Sequence, residues 1–593
     1  MSVVIPSLRG AIAVPGWAKN ELWRKARAVP SLDLRFADSK SLVDATTGSS
    51  LVTFTRASSG TYTDSARVLQ TAVTNLLLRS SDYSASWFQS AVTPTYNTTE
   101  VVDPAGGNAA TKFVVGTNGA IGQGLSPQTA ISHTASIYLR VDTGTTTTDL
   151  VFYRTSPFEL VGSKTVTLTT DWQRFDVTGT FLDNTQHNFQ INFGSNKTVY
   201  VWGAQVEAGA FPTSYIPTTS TINSAPRFDH NPTTGESLGL LVEEQRSNLC
   251  LQSEAISTPW SVVQLTVTAN SIAAPNATTT ADALFETAST SEHRIRQLFT
   301  GLTANTNYTV SVFAKDLGGR NLNIRVVDTD SPGNGYLGTF SPSTGTVVGA
   351  ATLGSGVEVS ASVVPYANGW YKFILTGNVG PTCTKYILDF FSTFGFITNF
   401  TGDVTKGLYL WGAQLEAGAF PTSYIPTTTA AVTRSADVAS ITGSAFSGWY
   451  RQDEGTVFGD YVGVNNVSGG TRRFVEIGIV GSVNDRMVLG YGNVVTSRFL
   501  VVEGGATQAD IFPSAIQGAR VKTAACFAVN DFQQGVNGTL GTADTSGSVP
   551  TVSAMALGGD FSGVGASWLN GHIRRLTFFP QRLANSTLQQ ITQ

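Results

Sequence analysis

At 593 residues and 62.7 kDa the chain is too long for one hydrophobic core, and about 150 residues per domain predicts about four domains. Only 13% of the residues are charged, 41% are hydrophobic and 59 are glycine; ordinary soluble domains carry about 25% charge, so extended, turn-rich β structure is favoured over helical bundles. The formal net charge of −4, from 37 basic and 41 acidic residues, excludes the strong field that draws a protein to nucleic acid or anionic lipid.

No apolar run approaches the roughly 18 residues of a membrane-spanning helix, and the start MSVVIPSLRGAIAVPGW lacks a signal-peptide pattern. Neither membrane insertion nor signal-directed secretion is expected. Cys250, Cys383 and Cys526 are more than a hundred residues apart, which suits neither a disulfide framework nor a zinc cluster.

In chain order, residues 1–30 come first as a unit of their own. A short helix is predicted over 16–29 (GWAKNELWRKARAV), with Trp17, Leu22, Trp23 and Ala26 on one side and Pro30 ending it. Two readings stand. Either Trp17, Trp23, Arg24, Lys25 and Arg27 form an attachment surface for a larger assembly, or the helix is solvated and packs its indoles on the chain's own first domain.

Residues 31–72 contain SLDLRFADSKSL and VTFTRASSGTYTD. A first module, 75–219, opens on NLLLRSSDYSASW and closes on WGAQVEAGAFPTSYIPTT. After PRFDHNPTTGESLGLLVEEQRSNL near 222–247, a second module, 248–428, opens on NLCLQSEAISTPW and closes on WGAQLEAGAFPTSYIPTT. The endings agree at 17 of 18 positions, each opening Asn precedes a Trp (Trp87, Trp260) by twelve residues, and DWQRF with Trp172 answers GWYKF with Trp370. An internal repeat of this length marks a duplicated module, the second copy 36 residues longer between its opening Asn and closing Pro. Polar and apolar residues alternate over 133–141 and 307–315, the pattern of half-buried strands, and Gly, Asn and Thr supply the turns. Each module is therefore predicted to be an antiparallel jelly-roll sandwich. From 431 to 593 a third strand-rich region ends in LNGHIRRLTFFPQRL and a closing helical turn within 584–591. The fold class expected is all-β, with a short N-terminal helix.

Four pieces carry a likeness to a known family: SLDLRFADSKSL with VTFTRASSGTYTD, PRFDHNPTTGESLGLLVEEQRSNL, the WGAQ-EAGAFPTSYIPT endings, and LNGHIRRLTFFPQRL. The chain thereby resembles tailed-bacteriophage virion surface proteins of tail-fibre, receptor-binding and head-fibre type. The resemblance implies carbohydrate-binding-module-like jelly rolls and a concanavalin A-like domain over 431–593. It also implies a virion-surface location after synthesis in the host cytoplasm, other virion proteins as partners through the N-terminus, host surface polysaccharide as ligand, and a homo-oligomer with a trimer as the expected form. In similar proteins the FTRAS segment runs directly into PRFD, whereas here the first repeat separates them. Module 1 therefore reads as an insertion, with 31–72 and 222–247 forming one small split unit beneath it.

Chemistry is sparse. Glycoside hydrolysis needs two facing carboxylates, but each repeat supplies one, Glu207 or Glu416. Asp453, Glu454, Asp460 and Asp560 stand in no paired spacing. The five histidines, His133, His187, His230, His293 and His572, are scattered singly, and no nucleotide, zinc-protease or EF-hand motif is present. No enzyme and no cofactor are expected, although a structural calcium held by backbone carbonyls is compatible with a jelly roll. Sugar binding needs aromatic faces with amides and carboxylates around them. Trp172, Trp202, Trp370 and Trp411, at matched repeat positions, read as core. Trp449, Tyr450 and Trp568, unpaired and near turns, are the candidate glycan-binding residues. Three functions stay open: a non-enzymatic virion protein that contacts host glycans, a purely architectural capsid-decoration or fibre-scaffold protein, and a glycan depolymerase.

Overall fold

The computed structural model describes residues 20–126, 130–183, 185–256, 258–464, 471–492, 495–515, 518–561 and 567–593. It is nearly all strand, with every paired strand antiparallel and only short helices among the described residues. None of those helices is long and apolar enough to cross a membrane.

The body formed by the C-terminal region is a two-sheet sandwich that is not built from 431–593 alone. One sheet has the order Arg227–His230, Ser237–Val242, Gly571–Phe579, Glu454–Val462, Val521–Ala528, Asp531–Val536, Thr539–Leu540, with Leu32–Leu34 also paired to Gly571–Phe579. The facing sheet begins at Thr53–Thr55, paired to Val438–Thr442, and continues to Ala506–Ile511. One core joins them, from Leu32, Phe54 and Leu240 to Trp449, Phe474 and Phe578. The separate split unit expected from 31–72 and 222–247 is thus corrected. Its halves do meet, since Asp229 accepts from Thr63 N at 2.7 Å and Arg227 donates to Thr61 O at 2.9 Å. Their strands, however, complete the sheets of the large sandwich. Segments this short bury too little surface for a core of their own.

Both modules, not only the first, interrupt this body. Thr74–Asn75 pairs with Asn223–Ser224 where module 1 leaves and returns, and Arg246–Asn248 pairs with Val432–Arg434 at module 2. Chain ends lying side by side are what allow a folded insert to be accommodated.

Each module is a two-sheet sandwich with its own core. In module 1 the long strand Thr111–Leu125 crosses from one sheet to the other, its first half on Lys197–Ala208 and its second on His187–Gly194. In module 2 the same path is split into Ala281–Glu286 and Thr290–Phe299. Part of the extra length forms Thr346–Leu353 and Val357–Pro365, one added edge strand for each sheet. DWQRF and GWYKF lead into the strands Gln173–Thr180 and Tyr371–Asn378.

The repeated residues form one polar lock, built twice. Asn75 Nδ2 donates to Ala204 O (3.0 Å) and Ile216 O (2.8 Å), and Asn248 Nδ2 does the same to Ala413 O (3.0 Å) and Ile425 O (2.8 Å). Gln205 and Gln414 accept from Ile216 N and Ile425 N at 2.7 and 2.8 Å. Trp87 and Trp260 cap two carbonyls each, at 3.0–3.2 Å. The strand carrying WGAQ has a bulge at Gly203 (φ +64°) and Gly412 (φ +65°), a conformation open to glycine because it has no Cβ.

The junction is held by buried charge. Asp437 accepts from Arg56 Nη1 (2.6 Å), Arg227 Nη2 (2.5 Å) and Glu243 N (2.9 Å), and Glu243 pairs with Arg227 at 2.8 Å. Glu243 also accepts from Ser423 N and Oγ at 2.8 and 2.7 Å, which fastens the closing turn of module 2 to the sandwich. Arg434 stands 3.5 Å from Glu243, and these charged side chains are all at or near complete burial. Burial alone would raise both carboxyls. The guanidinium groups overcome it, so Glu243 and Asp437 both lie below their ordinary values. Burial lowers Arg56 to about 10.

The N-terminal helix is Glu21–Ala26, capped by Asn20 and ended by Arg27 in the left-handed region. Trp17 lies outside the described residues. Leu22, Trp23 and Ala26 pack with Phe458, Ala524, Phe579 and the C-terminal helix Asn585–Thr592. Trp23 is 9% exposed, and its indole N–H donates to Asp33 Oδ2 at 3.0 Å; Arg575 and Thr577 hold the same carboxylate. The expectation of a separate attachment segment is therefore corrected for the described part. Arg24 and Arg27 are exposed and Lys25 is half-buried beside Glu21 at 3.2 Å, but Trp23 is buried in a cluster on the outer side of one sheet of the C-terminal sandwich, separate from the core between the sheets. The helix is too short to be stable alone.

Candidate functional site

The aromatic candidates lie inside. Trp449 is 6% exposed, edge-on to Phe446 and Phe578 at centroid distances of 5.0 and 5.1 Å, and Trp568 is 3% exposed. Tyr450 is half-buried, stacked on Phe446 at 4.6 Å, and burial raises its hydroxyl far above its usual value. These rings fill the space between the sheets and offer no face to a sugar, which corrects their assignment as glycan-binding residues. A lone aromatic beside a turn gives no signal that distinguishes a core plug from a surface platform.

The carboxylates weighed for catalysis are committed elsewhere. Glu207 accepts from Thr213 N, Thr213 Oγ1 and Gln205 Nε2; Glu416 accepts the same three bonds from Thr422 and Gln414 at 2.8–2.9 Å. Both close the turn after their strand. Asp453 and Glu454 pair with Arg451, Asp460 with Arg520, and Asp560 with Arg473. His133 and His187 sandwich Phe181 at 4.0 and 4.1 Å, and His572 bonds Asp229 at 2.8 Å. The three cysteines are buried thiols, and burial raises Cys383 to about 11 and Cys526 to about 12. Among the described residues no group of three or more His, Cys, Asp or Glu side chains is placed to hold a metal.

A different surface gathers sugar-binding chemistry. The module 1 strand His187–Gly194 alternates buried Phe189, Ile191 and Phe193 with half-buried Asn188, Gln190 and Asn192. Its outer side is therefore a row of amides, about 13 Å long at 3.3 Å per residue. Tyr153 OH donates to Gln190 Oε1 at 3.1 Å, and Gln190 Nε2 donates to Asn192 Oδ1 at 2.6 Å. These bonds set the amide planes and leave further donors and acceptors open.

Across the sheet the register places Phe88, Gly122, Gln190 and Val151 in one row and Gly124, Asn188, Tyr153 and Leu160 in the next. Direct partners share a face. Phe88, 57% exposed, thus stands on one side of the amides, while Tyr153 with Phe158, 73% exposed and 5.4 Å from it, stands on the other. Gly122 keeps the floor between Phe88 and Gln190 low, because a Cβ there would lie 2.9 Å from Phe189 O. At the Asn192 end the row opens into a polar cleft of about 390 Å³ lined by Asn118, Thr147, Asp149 and Lys197. Two aromatic walls about a strip of amides can stack on sugar rings and bond their hydroxyls. The alternation in HNFQINFG was the sequence signal for this strip, but nothing in sequence tells which strands lie beside it.

The same face of module 2 carries other chemistry. Gln123 and Gln297 make the same bonds to the opening segment, at Leu78 and Leu251, and so align the copies. By register Arg296 then replaces Gly122, Asp389 replaces Gln190, and Arg325 replaces Val151. The fold-holding residues are repeated within the chain and the outer faces are not.

No family model matches the chain, and no curated protein matches it. Among solved structures it is similar to the CBM40 of the Ruminococcus gnavus IT-sialidase bound to α2,3-sialyllactose, at 16% identity over 25% of this chain and 86% of that one, with a TM-score of 0.23. A CBM4 structure is similar at 16% identity over 22% of this chain and 92% of that one, TM-score 0.17. The tandem CBM22-1–CBM22-2 of Paenibacillus barcinonensis Xyn10C is similar at 13% identity over 58% of this chain and 98% of that one, TM-score 0.22.

Proposed function

We propose that this chain is a non-catalytic glycan-binding protein whose outer sheet faces contact saccharide, module 1 through Asn188, Gln190 and Asn192 between Phe88 and Tyr153. The observation that carries this is the amide strip with an aromatic ring on either side, on a rigid sheet whose register sets the spacing. Pairing of the candidate carboxylates with arginine or with turn N–H groups supports a binding role over hydrolysis. The sequence resemblance to phage tail- and head-fibre proteins supports display on a virion, where such a face would meet the host surface polysaccharide.

Binding of the full chain to an array of neutral oligosaccharides tests the reading. Gln190→Ala and Phe88→Ala, both on the sheet's outer face, should each weaken retention about tenfold or more, as expected for loss of a fixed hydrogen bond or a stacking ring, with an unchanged melting profile. Absence of retention on every glycan would instead favour the architectural role, and release of reducing ends from a polysaccharide would favour the depolymerase.

A further inference from the structure

The two modules use one scaffold to present outer faces that differ in charge at matched positions. Over six equivalent positions module 1 has Asn118, Ala120, Gly122, Asp149, Val151 and Gln190, with one negative charge; module 2 has Glu292, Arg294, Arg296, Asn323, Arg325 and Asp389, with one positive charge in excess. A burial requirement does not explain the change, because these side chains point away from the core residues Ile295, Ile324 and Phe390.

Asp389 is fully buried and serves as a clip. It takes Arg296 through Nε (2.8 Å) and Nη2 (3.1 Å), and Arg325 through Nη2 (2.9 Å) and Nε (3.2 Å). Arg294 reaches it only at 3.6 Å and pairs with Glu292. Arg325 and Arg294 also lie over the Phe391 ring, at 4.5 and 5.6 Å. Ring contact and ion pairing thus fix Arg294 and Arg325, ion pairing alone fixes Arg296, and the three side chains remain 15–29% exposed. One carboxylate satisfies only part of the donor set of two bidentate arginines.

The same face has an aromatic rim. Phe396, 65% exposed, sits over Gly349, which lies in one cross-strand row with Thr339, Asn323 and Phe391. At about 4.8 Å per strand, that rim is about 10 Å from the strand of Arg325 and about 19 Å from that of Arg294 and Arg296, a span that suits an oligosaccharide.

We infer that the outer face of module 2 binds an anionic saccharide, its carboxylate or sulfate accepting from the Arg294, Arg296 and Arg325 edges and a neighbouring ring resting at Phe396. This rests on the reading of the sheet faces as sugar-contacting surfaces and adds the ligand class. Calorimetric titration of the full chain with short oligogalacturonate, and with neutral galacto-oligosaccharide of equal length, tests it at low and high salt. Oligogalacturonate should bind and weaken with salt, since a charge-assisted contact at a partly exposed site is screened.

Arg294→Gln, which leaves Asp389 held by Arg296 and Arg325, should weaken oligogalacturonate about tenfold; Asn323→Asp, which adds a negative charge to the face, should do the same; Gln190→Ala should weaken the neutral sugar and leave the oligogalacturonate affinity as it is. Unaltered melting profiles establish that the variants are folded, and the salt dependence of the unmodified chain is a readout independent of them. Salt-insensitive binding, an unchanged affinity in both folded module 2 variants, or loss of oligogalacturonate binding in Gln190→Ala would overturn the inference. Retention of neutral sugar through Gln190 with no affinity for oligogalacturonate would overturn it while leaving the proposed function standing, and failure of every saccharide to bind would defeat both.

Discussion

Asp437→Asn isolates the charge hub that joins the inserted modules to the sandwich. The substitution keeps side-chain volume and removes one negative charge from a site where the Asp437, Arg56 and Arg227 side chains are 0% exposed. Arg227 and Arg434 would then keep Glu243 as a buried partner, while Arg56 would lose its ion pair. Breaking a buried ion pair from one side costs about 3–5 kcal/mol, because the uncompensated charge stays in a poorly solvated site. For a body of this size that corresponds to a fall in Tm of about 6–20 °C.

The assay is differential scanning calorimetry with the transitions resolved, since a chain with three cores need not unfold in one step. The transition of the C-terminal sandwich should move and the module 1 transition, whose core has no share in the hub, should stay. The pH dependence follows from the same geometry. Glu243 and Asp437 both lie below their ordinary values, so their contribution is complete above the unfolded carboxylate range near about 4. It is lost as pH falls through the depressed folded values. Asp437→Asn should flatten that acid limb. An unchanged sandwich transition, or an equal fall in all transitions, would refute the reasoning.

Two further substitutions test the remaining structural claims. Trp23→Ala should destabilise the C-terminal sandwich by about 3–5 kcal/mol, as loss of a buried indole does, and should leave Asp33 short of a donor; an unmoved calorimetric transition would restore the detached attachment helix. Gly203→Ala and Gly412→Ala should each lower their own module's transition by about 1–2 kcal/mol, the penalty of a Cβ in left-handed backbone. The second should be the more severe, because its Cβ meets Phe313 at 2.9 Å where the first meets Tyr138 at 3.1 Å.

Local pattern carried much of the fold. Alternation over 133–141 and 307–315 matched the strands Ser132–Val141 and Tyr308–Leu317, and Pro580 marks the end of Gly571–Phe579 before the closing helix. The near-identical endings pointed to a duplicated sandwich, and the same lock is found in both copies. These features are legible because a strand's period and a repeated hydrogen-bonding set depend on residues close in sequence or repeated in it.

Tertiary structure alone decided the rest. Trp449, Trp568 and Trp23 are buried because segments distant in sequence pack over them, Trp23 against Phe458 and Phe579 more than 400 residues away. Asp437 meets Arg56 across 381 residues, so a sandwich interrupted twice has no continuous signature. The candidate faces are a matter of register: Phe88, Gly122, Gln190 and Val151 become one surface only when four separate strands align. Which side of a strand faces solvent, and what chemistry lies beside it, is set by long-range pairing, because a shift of one residue would turn the amide strip inward and the phenylalanines out.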